Sequence, residues 1–169
     1  MSRTITRILV PTDFSETSDA ALAYAKTLAE AFGASLHLLH VFEDPYMTAA
    51  YAPEVYTPLA PGLREVTLRD TEACLADRLS AAEKARFRGT TEIVSGLTAK
   101  QIVEYASDKT IDLIVMGTHG RRGMAHLMLG SVAEHVVRTA TCPVLTVRGA
   151  ARAGASYVRS AEVATPVVA

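Results

Sequence analysis

Short continuous apolar runs alternate along this chain with longer stretches whose apolar residues recur every three or four positions. Ile5–Val10 is apolar and β-branched, and Pro11-Thr12-Asp13 ends it, so it reads as a strand. The helix that follows is capped by Ser15, turns Ala21, Leu22, Ala25, Leu28, Ala29 and Phe32 inward, and stops at Gly33. Ser35–Val41 is the second strand. Leu68, Leu75, Leu79 and Ala82 share one face of a second helix, and Thr91–Val94 is a short third strand. Thr98 and Gln101 make a capping-box pattern ahead of Ile102, Val103 and Ala106. Ile111–Met116 is a buried-type strand, Val132–Arg138 is helical in pattern, and Pro143–Val147 closes the series as a strand.

Five strands separated by four helices, several of them apolar throughout, predict a parallel sheet covered on both faces. Right-handed crossovers make that a doubly wound, Rossmann-like α/β sandwich. Residues 43–62 carry Pro45, Pro53, Pro58, Pro61 and three tyrosines and read as a long surface excursion. After Gly149 the character changes, and residues 150–169 are rich in Ala, Ser, Gly and Val. The expectation is one domain over 1–149 and a tail over 150–169, flexible or adding Val163–Val168 to a partner as an edge strand.

Composition narrows the function classes. A chain of 169 residues, 49% hydrophobic with a mean hydropathy of +0.18, suits one folded domain rather than disorder. The net charge of −1 comes with no evident basic face, which argues against nucleic acid as a partner. The start, MSRTITRILVPTDF, has too short an apolar run for a signal peptide or a membrane span, so the expected location is cytoplasmic, with no membrane partner. Cys74 and Cys142 have no metal-like or redox-like spacing and are expected as buried or half-buried free thiols.

The candidate chemistry lies in MGTHGRRGMAHLMLGS, Met116 to Ser131. Gly117, Gly120 and Gly130 fall between a strand and a helix, with Gly130-Ser131 at the helix entrance. Such an entrance offers unpaired N–H groups and partial positive charge, which suit phosphate, and glycine allows close approach. The loop is neither a G-x-x-x-x-G-K-[ST] nor a G-x-G-x-x-G loop. Its spacing, G-x2-G-x9-G-[ST], resembles the nucleotide loop of the universal stress protein family. The resemblance extends from Arg7 to Arg148 and includes ILVPTDFSETS (Ile8–Ser18), DLIVMGTHG (Asp112–Gly120) and CPVLTVR (Cys142–Arg148). It implies the strand order 3-2-1-4-5, ATP as ligand with Mg2+ carried by the triphosphate, a stress-response or regulatory role, and a homodimer through strand 143–148. Protein partners stay unnamed.

In that order the switch point lies between strands 1 and 4, where ligands of open α/β sheets bind. Pro11, Thr12 and Asp13 would flank it on one side, Met116 and Gly117 on the other. Asp13 reads either as a turn carboxylate near Ser15 or, as the resemblance implies, as an acceptor for ribose or adenine. Val41 would wall the adenine. Gly120, Gly130, Ser131 and the N–H groups of Val132 and Ala133 would face the phosphates, with His119, Arg121 and Arg122 as cationic helpers or simply a solvated loop. His126 and His135 read as surface or interface residues, and of His37 and His40 at least one as a satisfied, partly buried histidine. No nucleophile–base pair stands out, so binding with little or no turnover is expected, a slow ATPase being the alternative. A phosphoacceptor and a flavin carrier fit less well: Asp13 stands alone, and PTDFSETS lacks the glycine a flavin phosphate loop needs.

Overall fold

The computed structural model describes residues 4–43, 62–118 and 129–148. The elements run β1 (Arg7–Pro11), α1 (Glu16–Phe32), β2 (Ser35–Phe42), α2 (Leu63–Arg78), α3 (Ala81–Arg86), β3 (Thr90–Ser95), α4 (Thr98–Asp108), β4 (Leu113–Gly117), α5 (Ser131–Thr139) and β5 (Val144–Val147). The five strands form one parallel sheet in the order β3-β2-β1-β4-β5. The expected doubly wound topology is therefore present. The long excursion falls almost wholly outside the described residues, as do the tail and His119, Gly120, Arg121, Arg122 and His126.

Alternation along the strands divides the core into two. Ile8, Val10, Leu36, Leu38, Leu113 and Val115 face one side, where α1, α2 and Phe87 cover them. Leu9, Leu39, Val41, Ile114 and Met116 face the other, beneath Ile102, Tyr105 and Ala106 of α4 and Ala133 and Val136 of α5. Strands buried on both faces read as continuous apolar runs, which is why the sequence pattern located them. α1 lies on the sheet through Ala21, Ala25 and Ala29, at most 2% exposed. Ser15 caps this helix by accepting from the Ser18 amide, and Gly33 ends it with φ +63.

Four expectations shift. Phe32, expected inward, is 50% exposed, because the packed stripe is the alanine line and Phe32 lies past its end, next to the Gly33 turn. The single second helix is two: α2 stops at Leu79, which is fully buried, and α3 restarts at Ser80, leaving Ala82 exposed. Ser80 and Glu83 close a reciprocal capping box there, and Lys26 of α1 pairs with Glu83 at 2.6 Å. That bond and the Ser80 bonds hold the Glu83 carboxyl down at about 2. The Thr98–Gln101 capping box does not form. Leu97 is the N-cap without a side-chain bond, because the Thr98 hydroxyl donates to Glu43 instead. Finally, β1 and β4 begin two residues later than the pattern suggests. The Asp112 carboxylate accepts from Thr6 N, Thr6 Oγ1 and Arg7 N at 2.9, 2.7 and 3.0 Å, so the amides of Thr6 and Arg7 go to a side chain rather than to a ladder. Partial burial opposes ionisation of Asp112, but these bonds and the Arg7 charge outweigh it and lower its pKa.

Candidate functional site

The sheet order reverses between β1 and β4, and there a crevice of about 540 Å³ opens at the carboxyl ends of β1, β2 and β4. Every described residue expected at the site lines it: Pro11, Thr12, Asp13, Val41, Met116, Gly117, Gly130, Ser131, Val132 and Ala133. His119, Gly120 and Arg121 lie outside the described residues.

The loop after β1 is held from several sides. Thr12 donates its amide to Leu39 O at 2.8 Å, while its carbonyl accepts from His40 Nδ1 at 2.8 Å. Ser18 Oγ donates to Ser15 O, and the Phe14 amide donates to Thr12 Oγ1, so the Thr12 hydroxyl proton goes to Ser18 Oγ at 3.1 Å. Asp13 Oδ1 accepts from Ser15 N and Ser15 Oγ at 3.2 and 2.6 Å. The turn reading of Asp13 is therefore borne out, and the residue also lines the cavity. Phe14 takes φ +65, a left-handed conformation that costs a bulky residue about 1–3 kcal/mol. Its ring stacks on His40 with centroids 4.6 Å apart.

On the opposite wall, Thr118 N donates to Val147 O at 2.9 Å and Gly130 N donates to Thr118 O at 2.8 Å. These bonds set the end of β4 beside the start of α5. Gly130 is the N-cap with φ −61 and ψ 150, and it supplies no side-chain cap. The first intrahelical bond runs from Glu134 N to Gly130 O, so the amides of Ser131, Val132 and Ala133 have no acceptor within the helix. All three residues line the crevice. Between the two walls the floor is apolar, built from Leu39, Val41, Ile102 and Met116.

Several lining residues were missing from the expected set: Ser18, Leu39, His40, Glu43, Thr98, Ile102 and Thr118. Leu39 and Glu43 follow from the two-residue period that carries Val41. Ile102 and Thr98 stand one turn apart on α4 and reach the crevice only through tertiary packing, which no local pattern announces. His37 and His40 are both half-buried and bonded, as expected of at least one: His37 Nδ1 meets Tyr105 OH and Thr90 Oγ1, each at 3.1 Å. Burial lowers the His37 pKa, with Glu92 opposing. Among the described residues no group of three or more His, Cys, Asp or Glu side chains could hold a metal ion, and Cys74 and Cys142 are partly buried and in no disulfide.

A doubly wound α/β domain with an apolar-floored crevice at its switch point, walled by an uncapped helix entrance, belongs to the class that takes up small ligands at strand ends. The sequence profile of the Universal stress protein family matches residues 4–148, and the chain belongs to that family. It is 34% identical to universal stress protein MJ0531 of Methanocaldococcus jannaschii over 142 residues, covering 84% of this chain and 81% of that one. The solved structure of hypothetical protein MJ0577 superposes with a TM-score of 0.72 at 29% identity, over 86% of this chain and 97% of that one. A universal stress protein in complex with cAMP superposes at 0.61 with 25% identity, over 87% and 99% of the two chains.

Proposed function

We propose that this chain is an ATP-binding member of its family that works as a regulatory, stress-response module with little or no turnover. The observation that carries the reading is the α5 entrance. Three amides without helical acceptors open onto a crevice whose floor is apolar and whose far wall presents a carboxylate. In this reading the phosphates lie against Gly117, Gly130, Ser131, Val132 and Ala133, with His119, Gly120 and Arg121 contributing from the adjoining loop. The base rests on Val41 and Met116. Pro11 and Thr12 shape the wall from which Asp13 accepts from the ribose or the base. The complex of a related universal stress protein with cAMP supports a nucleotide as the ligand class.

The donor set fits a nucleotide with its own magnesium. The described carboxylates of the crevice, Asp13 and Glu43, follow β1 and β2 rather than flanking the α5 entrance. Mg2+ would then be carried by the phosphates, where it neutralises charge, rather than by a protein cage. The same reading includes a homodimer through the edge strand at 143–148, which would pair an apolar edge and leave the crevice open. The test is a thermal melt with ATP and Mg2+. At one hundred times the dissociation constant, ATP is expected to add about 2.7 kcal/mol of stability. A melt unmoved at saturating ATP refutes the reading, and steady phosphate release at rates typical of enzymes refutes its low-turnover part.

A further inference from the structure

Arg78, the last residue of α2, does not line the crevice, yet it reaches the loop that does. Its guanidinium lies over the Phe14 ring at 4.8 Å, on a ring that also stacks with His40. Its NH2 group donates to Phe14 O at 3.4 Å, and its NH1 group donates to Cys74 O at 3.3 Å. Nε donates to Asp19 of α1 at 2.9 Å, an ion pair in which the arginine side chain is only 25% exposed. One planar cation thus ties the end of α2, the first turn of α1 and the β1–α1 loop together, a task for which lysine lacks both the fork and the flat face.

We propose that Arg78 is a positioning residue for ligand binding, acting through Phe14 on the wall that carries Asp13 and His40. Phe14 occupies a backbone conformation that phenylalanine does not hold unaided, so something outside the loop must hold it. Arg78 touches both the ring and the carbonyl of that same residue. If Phe14 relaxes to negative φ, the Ser15 amide leaves Asp13 Oδ1, because the place of Ser15 follows from the Phe14 φ. The Asp13 carboxylate and the His40 ring then lose their fixed places beside the crevice. The uncapped entrance of α5, on the opposite wall, is untouched. Arg78 therefore acts on the sugar-and-base half of the site and not on the phosphate half, an assignment that rests on the nucleotide reading above.

The test is a double-mutant cycle on the full chain. Arg78→Ala is expected to weaken ATP about tenfold, the size of one desolvated cation–π contact, and to leave inorganic triphosphate within about twofold. Phe14→Gly accepts the positive φ without strain, so in that background Arg78→Ala is expected to change ATP affinity by less than about twofold. Arg78→Lys is expected to keep the melting temperature, through the Asp19 pair, without recovering the affinity. Equal losses in the two backgrounds, or equal losses for ATP and triphosphate, overturn the proposal. A wild-type chain that binds no adenine nucleotide overturns the nucleotide reading instead. Amide exchange in the ligand-free protein then decides the positioning role alone. Exchange at Ser15 faster by about tenfold in Arg78→Ala, with Leu79 unchanged, upholds it; unchanged exchange overturns it.

Discussion

α4 and α5 both begin on the crevice, and neither has a side-chain cap on its N-cap residue. They differ in what stands before them. The first turn of α4 contains no acid of its own, but Thr98 is tied to the Glu43 carboxylate, so a negative charge from β2 already complements that helix dipole. The first turn of α5 contains Glu134, which is exposed and paired with Arg138 at 3.1 Å, away from the crevice. α1 and α3 are closed by Ser15 and by the Ser80–Glu83 box, whereas α2 starts at Gly62 with no side-chain cap. Of the two helix entrances on the crevice, one is thus complemented by the chain's own carboxylate and the other is not. The crevice is polarised as a result: acidic toward β2 and α4, donor-rich toward α5.

The comparison breaks most severely at Gly130. Its φ of −61 suits any residue, so Gly130→Val keeps the helix and adds bulk where the amides converge. The expected loss is about a hundredfold in ATP affinity, ~3 kcal/mol, read by calorimetry on a variant with wild-type circular dichroism. Asp13→Ala comes next, with about 1.5–3 kcal/mol lost for ATP and little for inorganic triphosphate, the size of a hydrogen bond to a charged group. Equal losses for the two ligands would move Asp13 out of the sugar site. Glu43→Gln sharpens the contrast in the other direction. Removing the charge that complements α4 leaves a second, weaker anion-attracting entrance, so triphosphate affinity is expected to rise about two- to fivefold.

The smallest effect belongs to the self-capped α3. The Glu83 pKa lies at about 2, below its ordinary value of 4.5. The folded state therefore binds the proton less readily than the unfolded one. The stabilisation is complete above pH 4.5 and is lost as pH falls toward about 2. Glu83 is one-third exposed, so solvent screening keeps the contribution small. Denaturant melts from pH 5 to pH 2 are expected to show a shallower decline for Glu83→Gln than for the wild type.

How much of this was legible before the fold was known depended on the range of the interaction. Ser15 and Gly33 mark the ends of α1 through bonds within four residues, and both were readable. The break between α2 and α3 was also written locally, as Ser80-x-x-Glu83, but the apolar period through Leu68, Leu75, Leu79 and Ala82 runs across it and hides it. Thr98 misled for the opposite reason: a correct local signature was overridden by Glu43, 55 positions away in sequence. Asp13 and Gly130 were found because strand ends and helix entrances have chemical signatures. Arg78 and Ile102 have none, because each reaches the crevice region only through packing between elements.

Ala21, Ala25 and Ala29 set how closely α1 sits on β1, and the loop that carries Asp13 joins those two elements directly. A larger residue at any of the three would lift the helix as a rigid body, with Ser15 and Ser18 on it, at a cost of about 1–3 kcal/mol. In evolutionary terms, that makes the width of the crevice heritable through residues that never touch a ligand. In the nucleotide reading, drift at three core alanines would retune the binding preference while every lining side chain stays the same.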